Sequence, residues 1–335
     1  MDWFERLTGF READYHSTRQ RLAVDGDRLR SLANGRSWGV GDFRLASLRE
    51  LRDAAEPSPR GRIAVRSVVG DVYGLHHDGN YDGALFQVAS QFNCLEMTGP
   101  GVTPEDGVTP YQRDPTQGPA CAIAAGAATI YRNYFVPVGT GIGQTRDRQL
   151  DALADMGALL ASALGRPAGS LWQMSNGYAL CREGELAAIA DHIRRADAGA
   201  VDVLRAALRI GFHRDVEVTG EDMFPPQTVA QAFCSALPVS YSSVHGPVWA
   251  PFATLVLEAA YEATLWAGVA NARRGTSNIV VLTRLGGGAF GNDDAWIDAA
   301  ILRALRLVRG CDLDVRMVSY GREHPSSDRI EAAFA

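Results

Sequence analysis

Between residues 279 and 319 the chain reads as strand, glycine-rich turn, helix and strand, and no other stretch restricts the fold as much. Ile279 to Leu285 is a strong strand, Asp294 to Val308 a helix and Asp314 to Ser319 a final strand. Strands joined through a helix lie side by side in one sheet, usually parallel. The same alternation runs upstream. Ile63 to Val69, Leu85 to Ala89, Leu171 to Ala179, Val216 to Val218 and Val229 to Ala236 read as strands. Gly118 to Arg132, Arg148 to Leu164, Glu183 to Arg195 and Ala200 to Leu208 read as helices, and the mostly apolar Trp249 to Ala272 as a long buried one. The expected fold is therefore α/β, a mixed or parallel sheet with helices on both faces. In such folds ligands sit beyond the carboxyl ends of the strands, so the loops that follow strands carry the functional interest.

The size fits this fold. With 335 residues, 46% of them hydrophobic, the chain can bury one large core. Residues 1–60 are rich in Arg, Asp and Glu, and Phe43, Leu45, Leu48 and Leu51 sit at helical spacing. A break follows at Glu56-Pro57-Ser58-Pro59-Arg60-Gly61. This predicts an N-terminal helical extension over 1–60 and a main domain over 61–325. The first twenty residues are charged throughout and no apolar run approaches a membrane span, which points to the cytoplasm and away from a membrane. A net charge of −6 gives no broad basic face for non-specific nucleic-acid binding. Backbone amides can still hold a phosphate in an acidic chain. Cys94, Cys121, Cys181, Cys234 and Cys311 are scattered, without metal or disulfide spacing, and read as small buried apolar residues. His76-His77 has no partner pattern for a metal, and no cofactor is expected.

Three motifs carry the chemistry. The first is Gly286-Gly287-Gly288-Ala289-Phe290-Gly291-Asn292, between a strand and a helix. Its glycines let the backbone approach a ligand closely, and amides at the start of the next helix can receive a phosphate. Asp293 and Asp294, just beyond, would repel an anion if they faced it, and read as helix caps. The second is Gly70-Asp71-Val72, an acidic residue just past a strand that can accept a hydrogen bond from a base amine. The third runs from Phe86 through Asn93 to Glu96, a buried strand that ends in polar groups suited to ribose hydroxyls.

In this order the three motifs resemble the macrodomain family. There a Gly-Asp-Ile/Val segment, a strand ending in asparagine and a Gly-x-Phe-Gly phosphate loop succeed one another. The last loop is also similar to the Gly-Ala-Phe-Gly stretch of poly(ADP-ribose) glycohydrolases. The resemblance covers about 63 to 320. It implies a macrodomain-like mixed sheet that binds ADP-ribose, or an ADP-ribosylated protein, nucleic acid or small molecule. It implies that Asp71 and the Val72 amide hold the adenine, that Asn93 meets the distal ribose, and that Gly286 to Asn292 cradle the diphosphate with Phe290 packed on the distal ribose. The Gly-Gly-Gly-Val-Asp stretch of hydrolytic macrodomains and the paired glutamates of glycohydrolases are both missing. Gln117 and Gly118 stand where the family's first catalytic loop falls, and their amides open a helix.

Breaking a glycosidic bond to ADP-ribose passes through an oxocarbenium-like state that a nearby carboxyl group can assist. The candidates are Glu96, Glu105, Asp106 and Asp114, with Glu105 and Glu96 favoured because both follow Asn93. The expected activity is that of an ADP-ribosyl hydrolase, with a non-catalytic ADP-ribose reader as the alternative and a binder of another nucleotide as a third class. Glu258 and Glu262 lie four apart on the long apolar helix and read as loop-capping groups. Arg132 reads as a partner of its helix dipole.

Overall fold

A computed structural model of the chain describes residues 1–56, 60–220, 225–244 and 246–335. Pro57, Ser58 and Pro59 of the expected break lie outside the described residues. The centre is a seven-stranded sheet made of β1 (Asp42–Ser47), β2 (Ala64–Val69), β3 (Leu85–Ala89), β4 (Arg209–Glu217), β5 (Thr228–Cys234), β6 (Ile279–Leu282) and β7 (Asp314–Ser319), in the spatial order β1-β4-β5-β3-β6-β7-β2. From β5 to β2 every pairing is parallel, whereas β1–β4 and β4–β5 are antiparallel. The sheet is mixed, as expected.

Strands of a sheet covered on both sides bury both sets of side chains. In β3, Leu85 packs into the larger core and Gln87 hydrogen-bonds Thr264 at 3.0 Å, while Phe86 and Val88 join a second core on the opposite face. The larger core lies under α4 (Gly246–Arg273) and α5 (Asp294–Leu307), with α1 (Leu48–Ala55) and the helix Glu183–Arg195 beside them. The second lies under α2 (Gln117–Ala124) and α3 (Gly126–Tyr134).

The N-terminal sixty residues are helical only in part. Trp3–Thr8 and Tyr15–Gln20 are helices, but a three-stranded antiparallel sheet (Leu22–Asp25, Arg28–Ser31, Ser37–Gly39) follows, and β1 forms one edge of the main sheet. Phe43 and Leu45 belong to that strand, Leu48 and Leu51 to α1. Ser47 marks the change of period: its Oγ accepts from the Glu50 amide at 3.2 Å while the Glu50 carboxylate takes the Ser47 amide at 2.6 Å, a capping box. Trp3, Phe4, Leu7, Leu29 and Trp38 form a third core with Leu95, Met97, Tyr111, Ile130 and Tyr178, so this region lies over the segment that follows β3. Among the described residues no helix is long and apolar enough to cross a membrane.

Buried charges away from the sheet ends are structural. Glu262 pairs with Arg52 and Arg303, and Glu258 with Arg205, so neither serves a loop beneath the cleft. His76 stacks on Phe86 at 3.8 Å, and burial lowers its pKa to about 4. All five cysteines are buried and none forms a disulfide among the described residues, and burial raises the thiols of Cys94, Cys181 and Cys234 to about 12.

Candidate functional site

A cleft of about 720 Å³ opens at the carboxyl ends of β3, β5, β6 and β7, within the range of small-molecule sites. The segment after β3 forms one lip, with Ser90, Gln91, Glu96 and Met97, together with Asp114 to Pro119 at the start of α2. Thr283 to Gly286 and Gly288 to Phe290 form the other, and Ser319, Tyr320 and Arg322 to Pro325 close one end.

The glycine loop presents backbone. Gly286, at φ +76°, has no room for a side chain, since a Cβ there would stand 2.4 Å from that of Ala236. Asn292 returns the chain, its amide donating to Gly286 O at 2.9 Å and its Nδ2 to Leu237 O at 2.9 Å. The carbonyls of the loop are drawn away from the cleft. Gly288 O accepts from Gly291 N, Ala289 O from Ser240 Oγ and Phe290 O from Ser240 N. A trans peptide points its N–H opposite its carbonyl. Among the described residues the amides of Gly288, Ala289 and Phe290 have no protein acceptor. The α5 N-terminus, by contrast, is already occupied: the Asp293 carboxylate accepts from the Ala295 amide at 2.8 Å. The amides without a protein acceptor therefore lie in the loop before that helix rather than at its start. Asp294 does line the cleft, but Arg284 at 2.6 Å and His324 at 3.6 Å offset its charge and hold its carboxyl below the ordinary range. Phe290 packs on Tyr178 at 5.3 Å and Tyr241 at 5.8 Å, both of them cleft residues.

The opposite lip presents a carboxyl group. Glu96 is 4% exposed, lines the cleft, and its Oε1 has no hydrogen-bond partner among the described residues. Burial pushes its pKa well above the ordinary 4.5, Arg132 opposes that rise and Asp114 adds to it. Gly118 is pressed against it, because a Cβ there would lie 2.1 Å from Ala89 O and 2.6 Å from Glu96 Oε2. Gln117 Oε1 and Thr283 Oγ1, also on the cleft wall, are likewise buried and unpartnered. Buried polar atoms are ordinarily satisfied, so these three oxygens, two on this lip and Thr283 Oγ1 on the other, are open to a ligand's donors.

The other expected residues divide. Asp71 caps the turn after β2, its carboxylate accepting from Tyr73 N at 3.2 Å, and Val72 is buried in the second core. Both follow the strand paired with β7, where Gly70 N donates to Ser319 O at 3.0 Å. They therefore stand two strand spacings, about 10 Å, from the end of β6 on the same edge of the sheet. Asn93 is turned inward and does not line the cleft: its Nδ2 donates to Gln149 at 2.9 Å and its Oδ1 accepts from Leu95 N at 3.1 Å. Glu105 and Asp106 are also off the cleft. Glu105 accepts the Arg146 amide at 2.8 Å, and Asp106 closes a capping box on Thr103. Its own turn takes the Asp106 carboxylate and a distant loop amide that of Glu105, so nearness in sequence to Asn93 does not bring them to the cleft. Gly287, Gly291 and Asn292 shape the loop from behind rather than line the cleft. Tyr178, Tyr241 and Tyr320 were not singled out in the sequence. Tyr178 opens a short strand after an Asn176-Gly177 turn, and Tyr320, 73% exposed, follows the last strand.

Along most of its length the chain is similar to bacterial poly(ADP-ribose) glycohydrolase structures. The enzyme of Thermomonospora curvata bound to the inhibitor ADP-HPD matches 94% of this chain and 92% of its own, with 14% identity and a TM-score of 0.41. That of Deinococcus radiodurans in complex with ADP-ribose matches 87% and 92%, with 13% identity and a TM-score of 0.43. No family model and no curated protein sequence matches. So distant a likeness adds no weight to the chemistry of the cleft, which stands on its own residues.

Proposed function

We propose that the chain is an ADP-ribosyl hydrolase, with Glu96 as the acid that works on the glycosidic bond. The observation that carries this reading is the pairing of a buried, unpartnered carboxyl group with the unused amides of Gly288, Ala289 and Phe290 across one cleft. The amides suit a diphosphate. The exposed ring of Tyr320 offers a stacking face for adenine, with Asp71 at the same end of the sheet to take its amine. Phe290 and Tyr178 would then border the distal ribose beside Glu96.

With its pKa raised by burial, Glu96 gives its proton to the leaving oxygen or nitrogen as the bond to the anomeric carbon breaks. Its carboxylate then takes a proton from the water that attacks the oxocarbenium-like centre, and the products are ADP-ribose and the free hydroxyl or amine. Calorimetric titration with ADP-ribose, followed by turnover of mono- and poly-ADP-ribosylated substrates, tests the reading. Binding and release of ADP-ribose are expected; binding without turnover on any such substrate would leave a reader, and no binding would reject the site.

A further inference from the structure

Arg132 is a buried cation that the chemistry above does not use. It is 1% exposed, on α3, behind the Glu96 lip. Its guanidinium stacks 3.7 Å over the Phe233 ring and donates to Thr129 Oγ1 at 2.9 Å. A second guanidinium nitrogen meets His213 Nδ1 at 3.1 Å, and burial together with the arginine lowers that histidine's pKa well below its ordinary value. No carboxylate lies within ion-pair distance of it among the described residues. A guanidinium placed this way is costly without a counter-charge, so its position calls for a reason.

The remaining donor supplies one. Arg132 Nε reaches the carbonyl of Cys94 at 3.3 Å, and Cys94 holds φ +61°, a left-handed conformation unusual for a residue with a side chain. The thiol is wedged against Gly211, where a Cβ would come within 2.7 Å of the sulfur. Around this kink buried side chains hold the backbone: Gln144 Nε2 the Asn93 carbonyl at 3.1 Å, Gln91 Oε1 the Met97 amide at 2.6 Å, and Tyr111 Oη the Glu96 amide at 3.1 Å. Two residues past the kink Glu96 lines the cleft.

We infer that Arg132 is a positioning residue for Glu96: it clamps the left-handed kink at Cys94, two residues before Glu96, and sets a buried positive charge behind the lip that carries it. The inference rests on Glu96 being the working acid only for its kinetic consequence. The groups facing Glu96 are Arg132 from α3, Asp114 from the approach to α2, Cys121 from α2, and Cys94, Tyr111 and Tyr178 from the surrounding loops. Of these, Arg132 alone carries a positive charge, so its loss should leave the carboxyl protonated to higher pH.

The test is an NMR titration of the Glu96 carboxyl, needing no substrate, in the wild type, Arg132→Met and Arg132→Lys. In Arg132→Met the Glu96 ionisation constant should fall about tenfold, as expected for removing one charge at this depth. Arg132→Lys should keep it near the wild-type value, because the charge remains. An unchanged Glu96 titration in folded Arg132→Met would overturn the inference. Should that variant not fold, the wild-type guanidinium signal of Arg132 replaces it. It should shift in step with Glu96 and stay flat in Glu96→Gln, and a flat wild-type signal would equally overturn the inference. In turnover, kcat is expected to drop in both Arg132 variants with little change in KM, and the alkaline limb of the pH profile to move upward in Arg132→Met alone. Absence of hydrolysis in the wild type would reject the proposed function and leave the NMR result standing.

Discussion

The two lips of the cleft are built in opposite ways. The lip after β3 delivers one side chain, Glu96, from a backbone pinned by the buried groups of Gln91, Tyr111, Arg132 and Gln144. From Gly286 to Phe290 the lip after β6 carries no polar side chain. It offers the peptide amides of Gly288 to Phe290, with their carbonyls drawn off by Ser240 and Gly291. Chemistry that needs a tuned pKa calls for a desolvated, immobile carboxyl group, whereas holding a phosphate calls for bare backbone that nothing overhangs. The lesson is that the two lips should fail differently when altered.

The largest effect is expected at Glu96. Glu96→Gln should lower turnover about a hundred- to ten-thousandfold, the usual worth of a positioned acid, while calorimetry shows ADP-ribose affinity roughly unchanged. Gly288→Glu should do the reverse. Its Cβ points into open space, so thermal unfolding should match the wild type, but a carboxylate among the phosphate amides should weaken ADP-ribose binding about 100-fold. Equal loss of affinity in both variants would erase the distinction between the lips. Gly118→Ala tests the packing beneath Glu96. With Ala89 O only 2.1 Å from the added methyl, it should cost about 1–3 kcal/mol of stability by denaturant titration, and turnover with it.

Acidity gives a subtler test. Because Glu96 is raised in the fold from the ordinary 4.5, the folded chain binds more protons than the unfolded one between that value and the folded one. The contribution of Glu96 is fully present below 4.5 and is lost as pH rises through the folded value. Melting curves of the wild type should therefore decline relative to Glu96→Gln across that window, and parallel curves would show that the group is not desolvated. The smallest effect is expected from Glu105→Gln, with turnover within about twofold of the wild type, as for an exposed change away from the site.

Much of the fold was legible because periodicity survives without neighbours. Leu85 to Ala89, Glu183 to Arg195 and Asp314 to Ser319 stand where their apolar patterns put them. The strand β4 was read only over its last residues, since Arg209, His213 and Arg214 mask its alternation. They become acceptable there because Asp155, Arg132 and Asp42 meet them. The site was half legible. Gly286, Gly288, Ala289, Phe290, Gln117 and Gly118 line the cleft, and among the acidic candidates Glu96 and Asp114 do so while Glu105 and Asp106 do not. Carboxylates ten residues apart look alike in a sequence. A capping box claims Asp106, a loop amide claims Glu105, and the long-range walls of Gly118 and Tyr111 claim Glu96.

What the residues determine alone is local: alternating strands and helices, and a turn whose glycines permit positive φ and leave amides bare. Which amides stay unused, which carboxyl group loses its water, and where a buried arginine is held depend on segments far apart in the chain. Desolvation and hydrogen-bond competition are properties of the packed whole, and only the tertiary structure sets them.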